Sequence, residues 1–344
     1  MTRQELEQLL TNDAFITACG EQPELIETHI SWVILCKNLV YKIKQPIRYS
    51  FLDCSSVAQR KYYCEKEVEL NRRLTEAIYL DVQPVYKFAE RIGIGSATGA
   101  VIDYAVRMNR IDRQRQMDVL LRNNAVTPDM IKALAIKMAA FHQNTTIVRE
   151  KNLSALRKDF NDLSSQYDFV SRELSPYAGE MIMRAVHFSD VFIDIHTALL
   201  KDRLQQGFYR DGHGDLHTRN VFFLPEPQPF DCIEFNDDYR QIDVLNEVAF
   251  MCMDLDAFGR QDLSELFINT YNAHFRAIRS KADEDLFTYY KSYRANVRAK
   301  VNSLRALSAG STADKKKFLE ETERYLKLMQ ACQEHIQSLA SVTQ

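Results

Sequence analysis

The spacing of apolar residues changes near Asn109, and this change constrains the fold more than any other feature of the sequence. Before it, runs rich in β-branched and aromatic residues predict a hairpin, one helix and two further strands, at 28–45, 57–74, 82–89 and 100–108. After it, the helical period predicts long amphipathic helices, at 128–143, 153–172, 177–206, 243–257, 261–279, 283–308 and 314–338. We therefore expect a small β-rich first part and a large helical second part.

Composition agrees with a chain rich in helices. Only 10 glycines and 8 prolines occur in 344 residues, which argues against a turn-rich all-β fold or long flexible linkers. The length suggests two domains of about 150 residues. With 44 Lys+Arg against 47 Asp+Glu, and the basic residues scattered, the chain lacks the global basic footprint of a nucleic-acid-binding protein.

The cysteines and the hydropathy indicate the compartment. Seven cysteines are spread over positions 19, 36, 54, 64, 232, 252 and 332 without a C-x-x-C pair, so we expect neither a disulfide framework nor a structural zinc site. The first residues lack the apolar core of a secretory signal, and no run of about 18 apolar residues occurs. We expect a cytoplasmic protein that does not bind a membrane.

The densest cluster of reactive side chains straddles a short β-like interruption of the helical part. The stretch H-G-D-L-H-T-R-N at 213–220 precedes Val221–Leu224, a turn holding three prolines at 225–229, and a second β-like run at 230–235. Paired strands lie about 4.8 Å apart, so such a hairpin brings Asn220 and Asp231 to one cation. An amide oxygen and a carboxylate suit Mg²⁺, which leaves Asp215 to orient a hydroxyl.

This H-x-D-x-x-x-x-N spacing, with an Asp eleven residues after the Asn, matches the catalytic loop of kinases. With Arg240–Val244 it resembles the aminoglycoside phosphotransferase-like branch of the protein-kinase-like fold. The chain is most similar to an uncharacterised bacterial family of that branch, some of whose members carry a fused P-loop ATPase domain; no G-x-x-x-x-G-K-[ST] motif occurs here. The segments that carry this second resemblance are Val40–Pro46, Phe51–Asp53, Glu67–Leu74 and Tyr293–Lys300.

The resemblance implies an α+β fold with two lobes. Residues 1–107 would form a small antiparallel-sheet N-lobe with one helix, and residues 108–344 a mainly helical C-lobe. ATP or GTP and Mg²⁺ would bind between them. The segment 104–108 would cross between the lobes and present backbone groups to the base, with Val106 and Met108 as nucleotide-binding residues. The resemblance also implies transfer of a phosphate, catalysed by Asp215.

A lysine and a glutamate for gripping phosphate are present in the first part. Lys42 and Lys44 share one face of a predicted strand because side chains alternate with period two. Glu67 lies on the less charged stripe of the predicted helix. Alternation does not choose between the lysines, and Lys42 is preferred because it matches the family pattern better. The phosphate-covering loop would lie near 27–31, which has no glycine.

The sequence leaves other interpretations open. A nucleotide-binding pseudokinase or regulator would use the same residues without turnover. A metal-dependent hydrolase would use His213, Asp215 and His217, with Asp231 as a further ligand. The acidic run at 231–256 favours a cationic acceptor, whereas the basic run at 289–300 favours an anionic one. The alternative for either run is a solvated surface without a role in binding.

Three further positions have structural interpretations. We expect His213 to be a packed, hydrogen-bonding side chain that holds its loop. Asp243 is expected to be an N-cap. The glycine-containing stretch at 93–99 does not fit G-x-G-x-x-G and is expected to be a hairpin turn.

Overall fold

A computed structural model describes residues 1–49, 52–89, 91–95 and 99–342. Phe51 and residues 96–98, which carry parts of the sequence predictions, lie outside the described residues. The chain divides into two compact units, each assembled from separate stretches. The first unit comprises Met1–Ala125, His213–Asp215 and Arg219–Arg240, and the second comprises Val126–Gly212, Leu216–Thr218 and Gln241–Gln344.

The strands are short except for two of ten residues each, Tyr79–Phe88 and Ala100–Asn109. In chain order they are β1 (Glu24–Glu27), β2 (Ser31–Leu35), β3 (Leu39–Lys44), β4 (Arg48–Tyr49), β5 (Leu52–Asp53), β6 (Tyr79–Phe88), β7 (Arg91–Ile94), β8 (Ala100–Asn109), β9 (Tyr209–Asp211), β10 (Val221–Leu224), β11 (Glu226–Pro229) and β12 (Gln241–Asp243).

The helices are longest in the second unit. In chain order they are α1 (Arg3–Leu10), α2 (Asp13–Cys19), α3 (Val57–Arg72), α4 (Met117–Arg122), α5 (Pro128–Asn144), α6 (Ala155–Asn161), α7 (Tyr167–Glu173), α8 (Pro176–Gln205), α9 (Asp237–Arg240), α10 (Val244–Ala257), α11 (Gln261–His274), α12 (Lys281–Leu307) and α13 (Thr312–Val342).

The first unit is built on an antiparallel sheet. Among the described residues this sheet has six strands in the order β1-β2-β3-β8-β6-β7. The predicted β2–β3 hairpin is confirmed, and its register pairs Val33 with Lys42. Helix α3, also predicted, begins at a capping box in which Ser56 and Gln59 satisfy each other's backbone N–H groups. The sheet and α3 place the residues of the candidate site.

The start of the chain contains elements that the sequence analysis did not predict. Helices α1 and α2 pack with β2, β3 and β7 in one apolar cluster that includes Leu6, Phe15 and Trp32. These helices have only eight and seven residues, too short for a clear apolar period. The antiparallel-sheet unit therefore carries more helix than the single one expected.

One disulfide joins two described cysteines, Cys19 and Cys36. The end of α2 runs beside the segment after β2, where Lys37 N–H donates to Cys19 O at 3.0 Å, and the two Cα atoms are 4.7 Å apart. The sequence analysis expected no disulfide framework and did not predict this pair. The pairing depends on a backbone contact that cysteine spacing does not encode.

Two predicted turns differ from the structure. Gly93 lies inside β7, opposite Tyr86, so the glycine-containing stretch is not simply a hairpin turn. Pro227 and Pro229 lie in β11 rather than in a turn, and residues 230–235 are not a strand. Because these prolines are two residues apart, both lack an N–H on the same edge of a two-stranded ribbon, where proline is tolerated.

The second unit is helical, as predicted, and most of its helices lie within a few residues of the expected bounds. The predicted helix at 153–172 is instead split into α6, a 3₁₀ turn and α7. Asp243 caps α10 by accepting from Leu245 N–H at 2.8 Å, as predicted, and both its carboxylate oxygens also contact Arg203. None of the helices in the described chain is long and apolar enough to cross a bilayer.

Candidate functional site: a lysine–carboxylate network beside the 213–220 loop

The candidate site lies entirely within the first unit and is centred on Lys42. Lys42 Nζ donates to Glu67 Oε1 at 2.8 Å and to Asp231 Oδ1 at 2.7 Å. Strand β3 supplies the lysine, helix α3 supplies Glu67, and the segment after β11 supplies Asp231. Three residues that are far apart in the sequence thus meet at one ammonium group.

Lys44 forms a second, deeper set of contacts two residues along the same strand. Its Nζ lies 2.5 Å from Glu67 Oε2 and also donates to Glu234. The Lys44 side chain is 1% exposed and that of Lys42 12%, whereas the Asp231 side chain is 45% exposed. Glu67 therefore does not choose between the lysines: it binds both, and Lys42 is the one that faces the accessible carboxylate.

The charges in this network fix the protonation of its members. Burial raises the pKa of the Glu67 carboxyl, but attraction to Lys42 and Lys44 outweighs it and lowers that pKa to about 2. Burial likewise lowers the pKa of Lys42, and the attraction of Asp231 and Glu67 more than compensates, so this pKa lies well above its usual value. Both groups are thus charged at neutral pH.

Glu234 behaves differently from Glu67 because it has one lysine partner. Burial raises the pKa of Glu234, the attraction of Lys44 lowers it, and the neighbouring negative charge of Glu67 raises it again, so the net shift is upward. Lys44, held between the two carboxylates, has its pKa raised despite its burial. Because their charged groups are in direct contact, we treat Lys44 and Glu234 as an ion pair.

The 213–220 loop is held by His213. The His213 side chain is fully buried, its Nδ1 accepts from Asp215 N–H at 3.2 Å, and its Nε2 lies 2.9 Å from Phe230 O. This pattern requires the neutral tautomer with the proton on Nε2. His213 is therefore the packed, hydrogen-bonding side chain that the sequence predicted.

Gly214 lets the loop turn tightly in front of Asp215. Its φ is +87°, and a Cβ at this position would lie 2.9 Å from Tyr239 O. A side chain is thus excluded both by the backbone conformation and by a backbone oxygen. Asp215 follows directly, and its Oδ2 accepts from Asn220 Nδ2 at 3.0 Å.

Asn220 and Asp231 meet across the base of the β10–β11 hairpin. Phe230 N–H donates to Asn220 O at 2.9 Å, which places Asp231 next to the asparagine. Asp231 has φ +63°, in the left-handed region that Asp adopts more readily than most residues. The structure thus joins the Asp215 and Asn220 side chains by a hydrogen bond and pairs the backbone next to Asp231 with that of Asn220.

The donor set fits a hard divalent cation. Asn220 Nδ2 donates to Asp215 O and Oδ2, both at 3.0 Å, so the amide oxygen Oδ1 turns away from Asp215. The network of Lys42, Lys44, Glu67, Asp231 and Glu234 carries one negative charge in excess. Mg²⁺ typically uses one or two protein oxygens and completes its shell with water and phosphate. Asn220 Oδ1 and the Asp231 carboxylate are the two oxygen ligands that these residues would offer to such an ion.

An apolar cluster adjoins the network through Tyr79, whose Oη accepts from Asp231 N–H at 3.2 Å. Phe222 of β10 stacks on Phe230 with ring centroids 4.8 Å apart. The buried members of the cluster are Val40, Cys64, Val68, Ile78, Tyr79, Val106 and Met108, and its partly buried members include Val33, Leu35, Val82, Ile111, Phe222 and Phe230.

Val106 and Met108 lie in this cluster, but not as expected. Strand β8 continues through Asn109, where Val106 pairs with Lys42 and Val82, and Met108 with Val40 and Tyr79. The expectation that 104–108 presents backbone groups to a base is wrong, because these residues lie within the ladder between two strands. Their side chains, by contrast, belong to the apolar cluster.

Most charged side chains of the two runs that left the acceptor open form ion pairs or hydrogen bonds inside their own unit. In the second unit Lys291 pairs with Asp256, Lys300 with Asp162, and Arg294 Nε donates to Asn246 Oδ1 at 2.7 Å. Thr218 Oγ1 donates to Asp254 at 2.6 Å. In the first unit, Asp237 pairs with Lys66 and Arg240. Because so many of these charges have partners within the protein, neither run predicts the charge of an acceptor.

Sequence reasoning missed three residues of the site, Asn71, Tyr79 and Glu234, and it did not predict the inner role of Lys44. Asn71 and Glu234 are polar residues in apolar surroundings, on the inner stripe of α3 and after Ile233, and this is the signal that was available. Tyr79 offered none, because a tyrosine at the start of a strand is ordinary core material. Their roles depend on contacts between distant segments.

Comparisons with known proteins identify the fold and leave the activity open. No family model matches the chain. It is 29% identical over 286 residues to uncharacterised proteins of Mycobacterium tuberculosis and Mycobacterium bovis. The match covers 81% of this chain and 54% of those relatives. The chain therefore spans about half the length of the curated relatives it matches.

Two solved structures cover nearly the whole chain at low identity. The GDP complex of an aminoglycoside 2'-phosphotransferase is 15% identical and matches 97% of this chain and 99% of its own, with a TM-score of 0.51. An ethanolamine kinase of Plasmodium vivax is 8% identical and matches 90% of this chain and 81% of its own, with a TM-score of 0.50. The resemblance seen in the 213–220 loop thus extends to the backbone. The chain has the α+β, protein-kinase-like fold of the aminoglycoside phosphotransferases and ethanolamine kinases.

Proposed function

We propose that the chain is a Mg²⁺-dependent phosphotransferase that moves the γ-phosphate of ATP or GTP to a hydroxyl of a small molecule. The observation that carries the proposal is the pair of contacts from Lys42 Nζ to Glu67 and Asp231. Phosphoryl transfer is catalysed mainly by positioning and by neutralising charge. A lysine fixed between a helix carboxylate and an accessible aspartate provides both.

Lys42 would contact the α- and β-phosphates while Glu67 keeps its ammonium in place. The apolar cluster around Tyr79, Met108 and Phe222 would receive the base, since base pockets are largely apolar. Val106, buried in the same cluster, would pack beneath the base. Lys44 would hold Glu67 from the buried side. The base would therefore contact the side chains of this cluster and not the backbone of β8.

Asp215 would orient the acceptor hydroxyl and take its proton. It is fixed at the backbone by His213 and at Oδ2 by Asn220. Asn220 Oδ1 and Asp231 would hold Mg²⁺, which neutralises phosphate charge during transfer. Asp231 would leave Lys42 for the metal, and Lys42 would then turn to the phosphates.

The solved neighbours support the coarse part of this proposal. One is an aminoglycoside phosphotransferase with GDP bound, and the other is named an ethanolamine kinase. Both names describe transfer to small molecules, which supports a nucleotide donor and a small acceptor for the same fold. The lobes at 1–107 and 108–344 and the cytoplasmic location stay predictions.

A second candidate is a nucleotide-binding regulator without turnover. The turn between β1 and β2, where a phosphate-covering loop would lie, spans Thr28–Ile30 and contains no glycine. It is closed by Thr28 N–H donating to Ser31 O at 2.9 Å. The metal-hydrolase interpretation, in contrast, loses support because both ring nitrogens of His213 take part in hydrogen bonds.

Nucleotide binding and turnover measured on the same samples test the proposal. We expect ATP or GTP to bind more tightly with Mg²⁺ than with EDTA, and the Mg²⁺-dependent part to vanish in Asp231→Ala. Slow Mg²⁺-dependent loss of nucleotide supports the enzyme. Binding without turnover against a broad acceptor panel supports the regulator, and Asp231→Ala binding like the wild type contradicts the metal assignment.

A further inference from the structure

The segment that carries Asp231 is held by hydrogen bonds at consecutive residues. Four consecutive backbone N–H groups, from Phe230 to Ile233, each have a partner. Phe230 N–H donates to Asn220 O at 2.9 Å, and Ile233 N–H to His213 O at 3.0 Å. Asp231 N–H donates to Tyr79 Oη at 3.2 Å, and Cys232 N–H to Asn71 Oδ1 at 2.9 Å.

The two side-chain partners are themselves fixed. Asn71 is fully buried on α3, and its Nδ2 donates to Glu67 O at 2.8 Å, which directs Oδ1 toward Cys232. Tyr79 is 3% exposed at the start of β6. Both contacts are made by side chains and are not part of a β-ladder with this segment. They hold it from α3 and from the sheet.

Glu234 anchors the end of the segment through Lys44. This contact lies one layer below the contact between Asp231 and Lys42, on the same two elements, and both lysines share Glu67. In the outer contact, Asp231 would bind Mg²⁺ and Lys42 would bind phosphate in the proposed function. The inner contact joins side chains that are at most 4% exposed, so it would persist when Lys42 and Asp231 separate.

We propose that Lys44, Glu234, Tyr79 and Asn71 form a clamp that holds Asp231 in its metal-binding position after Lys42 has moved to the nucleotide. This inference rests on the proposed function and adds four positioning residues to it. Without the clamp, releasing Asp231 from Lys42 would free the segment at the moment when the metal needs a fixed ligand. Supporting contacts of this kind commonly change metal affinity about 10- to 100-fold.

The test compares nucleotide affinity with Mg²⁺ and with EDTA, by calorimetry, in wild type and variants. Removing one member of a buried ion pair leaves an unpaired charge, so the main variant replaces both, Lys44→Met with Glu234→Met. Glu67, the other partner of Lys44, keeps its contact with Lys42 in this variant. We expect the ratio of the affinity with Mg²⁺ to the affinity with EDTA to fall about 10- to 100-fold in the double variant. Tyr79→Phe, which removes one oxygen, should lower the ratio in the same direction.

The outcomes separate the clamp from the proposed function. If the wild type shows no Mg²⁺-dependent affinity for ATP or GTP, the proposed function fails and the clamp fails with it. If the wild type shows it and the folded variants keep the same ratio, only the clamp is overturned. Should the double variant not fold, Tyr79→Phe decides alone: an unchanged ratio overturns the clamp. Melting temperatures without nucleotide report whether a variant is merely less stable. A loss of stability alone would not change the ratio of the affinities with Mg²⁺ and with EDTA.

Discussion

At the scale of single residues, the carboxylates of the site differ in pKa because they have different numbers of lysine partners. Glu67, with two ammonium partners, keeps its charge at full burial, whereas Glu234, with one, has its pKa raised by burial. Asp231 stands at the accessible side with one ammonium partner. Asp231 is thus the carboxylate of this network that solvent reaches, and in our proposal it is the one that would exchange Lys42 for the metal.

Replacing Asp215 by alanine should affect turnover and leave nucleotide binding intact. A positioned general base contributes about 10²- to 10⁴-fold, so kcat should fall by that factor. Turnover with the acceptor and nucleotide affinity should be measured on the same preparation. Glu226→Ala, an exposed carboxylate of the neighbouring hairpin, is the matched control. Equal turnover in both variants would remove Asp215 from the mechanism.

Replacing Lys42 by alanine should weaken nucleotide binding. Losing one charge-assisted contact costs about 1.5–3 kcal/mol, which corresponds to about 10- to 100-fold in affinity. Lys61→Ala on the outer face of α3, where Lys61 pairs with Glu65, provides the control. A Lys42→Ala protein that binds ATP and GTP as tightly as the Lys61→Ala protein would contradict the phosphate role.

At the scale of elements, the sequence predicted what is local and missed what depends on partners. The β2–β3 hairpin, α3 and the long helices follow from period and capping. Pro227 was placed in a turn because the sequence does not show that β11 has a free edge. The inner pair of Lys44 with Glu234 joins β3 to a segment 190 residues away, and no periodicity relates two such positions.

The ion pairs of Glu67 on α3 with Lys42 and Lys44 on β3 should make the stability of the protein depend on pH in the acid range. Attraction to two lysines lowers the pKa of Glu67 to about 2 against burial, so its contribution is complete above an unfolded-state pKa near 4.5. That contribution is lost as pH falls from about 4.5 to about 2. The free energy of unfolding from urea titrations should therefore fall more steeply in this window for wild type than for Glu67→Gln. Parallel pH profiles would contradict the assignment.

The β10–β11 hairpin should contribute to binding the base rather than the phosphates. Phe222→Ala removes a ring that stacks on Phe230, and aromatic contacts of this kind are worth about 0.5–1.5 kcal/mol beyond area burial. Affinity for ATP should fall while affinity for inorganic tripolyphosphate, which has no base, stays unchanged. Equal losses for both ligands would show that the hairpin acts only through the fold.

At the scale of the whole molecule, the kinase-like fold was predicted from the loop spacing and the resemblance, and the comparisons confirm it. The position of Asp215 and Asn220 was predictable because they are five residues apart on one loop. The acceptor was not, because acidic and basic runs that looked informative in sequence are neutralised by partners such as Arg203 and Asp256. Only the folded chain shows which charges remain available.

The most direct measurement of the central claim follows ³²P from γ-labelled ATP and GTP into extracted metabolites, with Mg²⁺, for the wild type and for Asp215→Ala. We predict a labelled small molecule with the wild type and its loss with the variant, although both bind nucleotide. Nucleotide binding by the wild type with no labelled small molecule in any extract would contradict the claim.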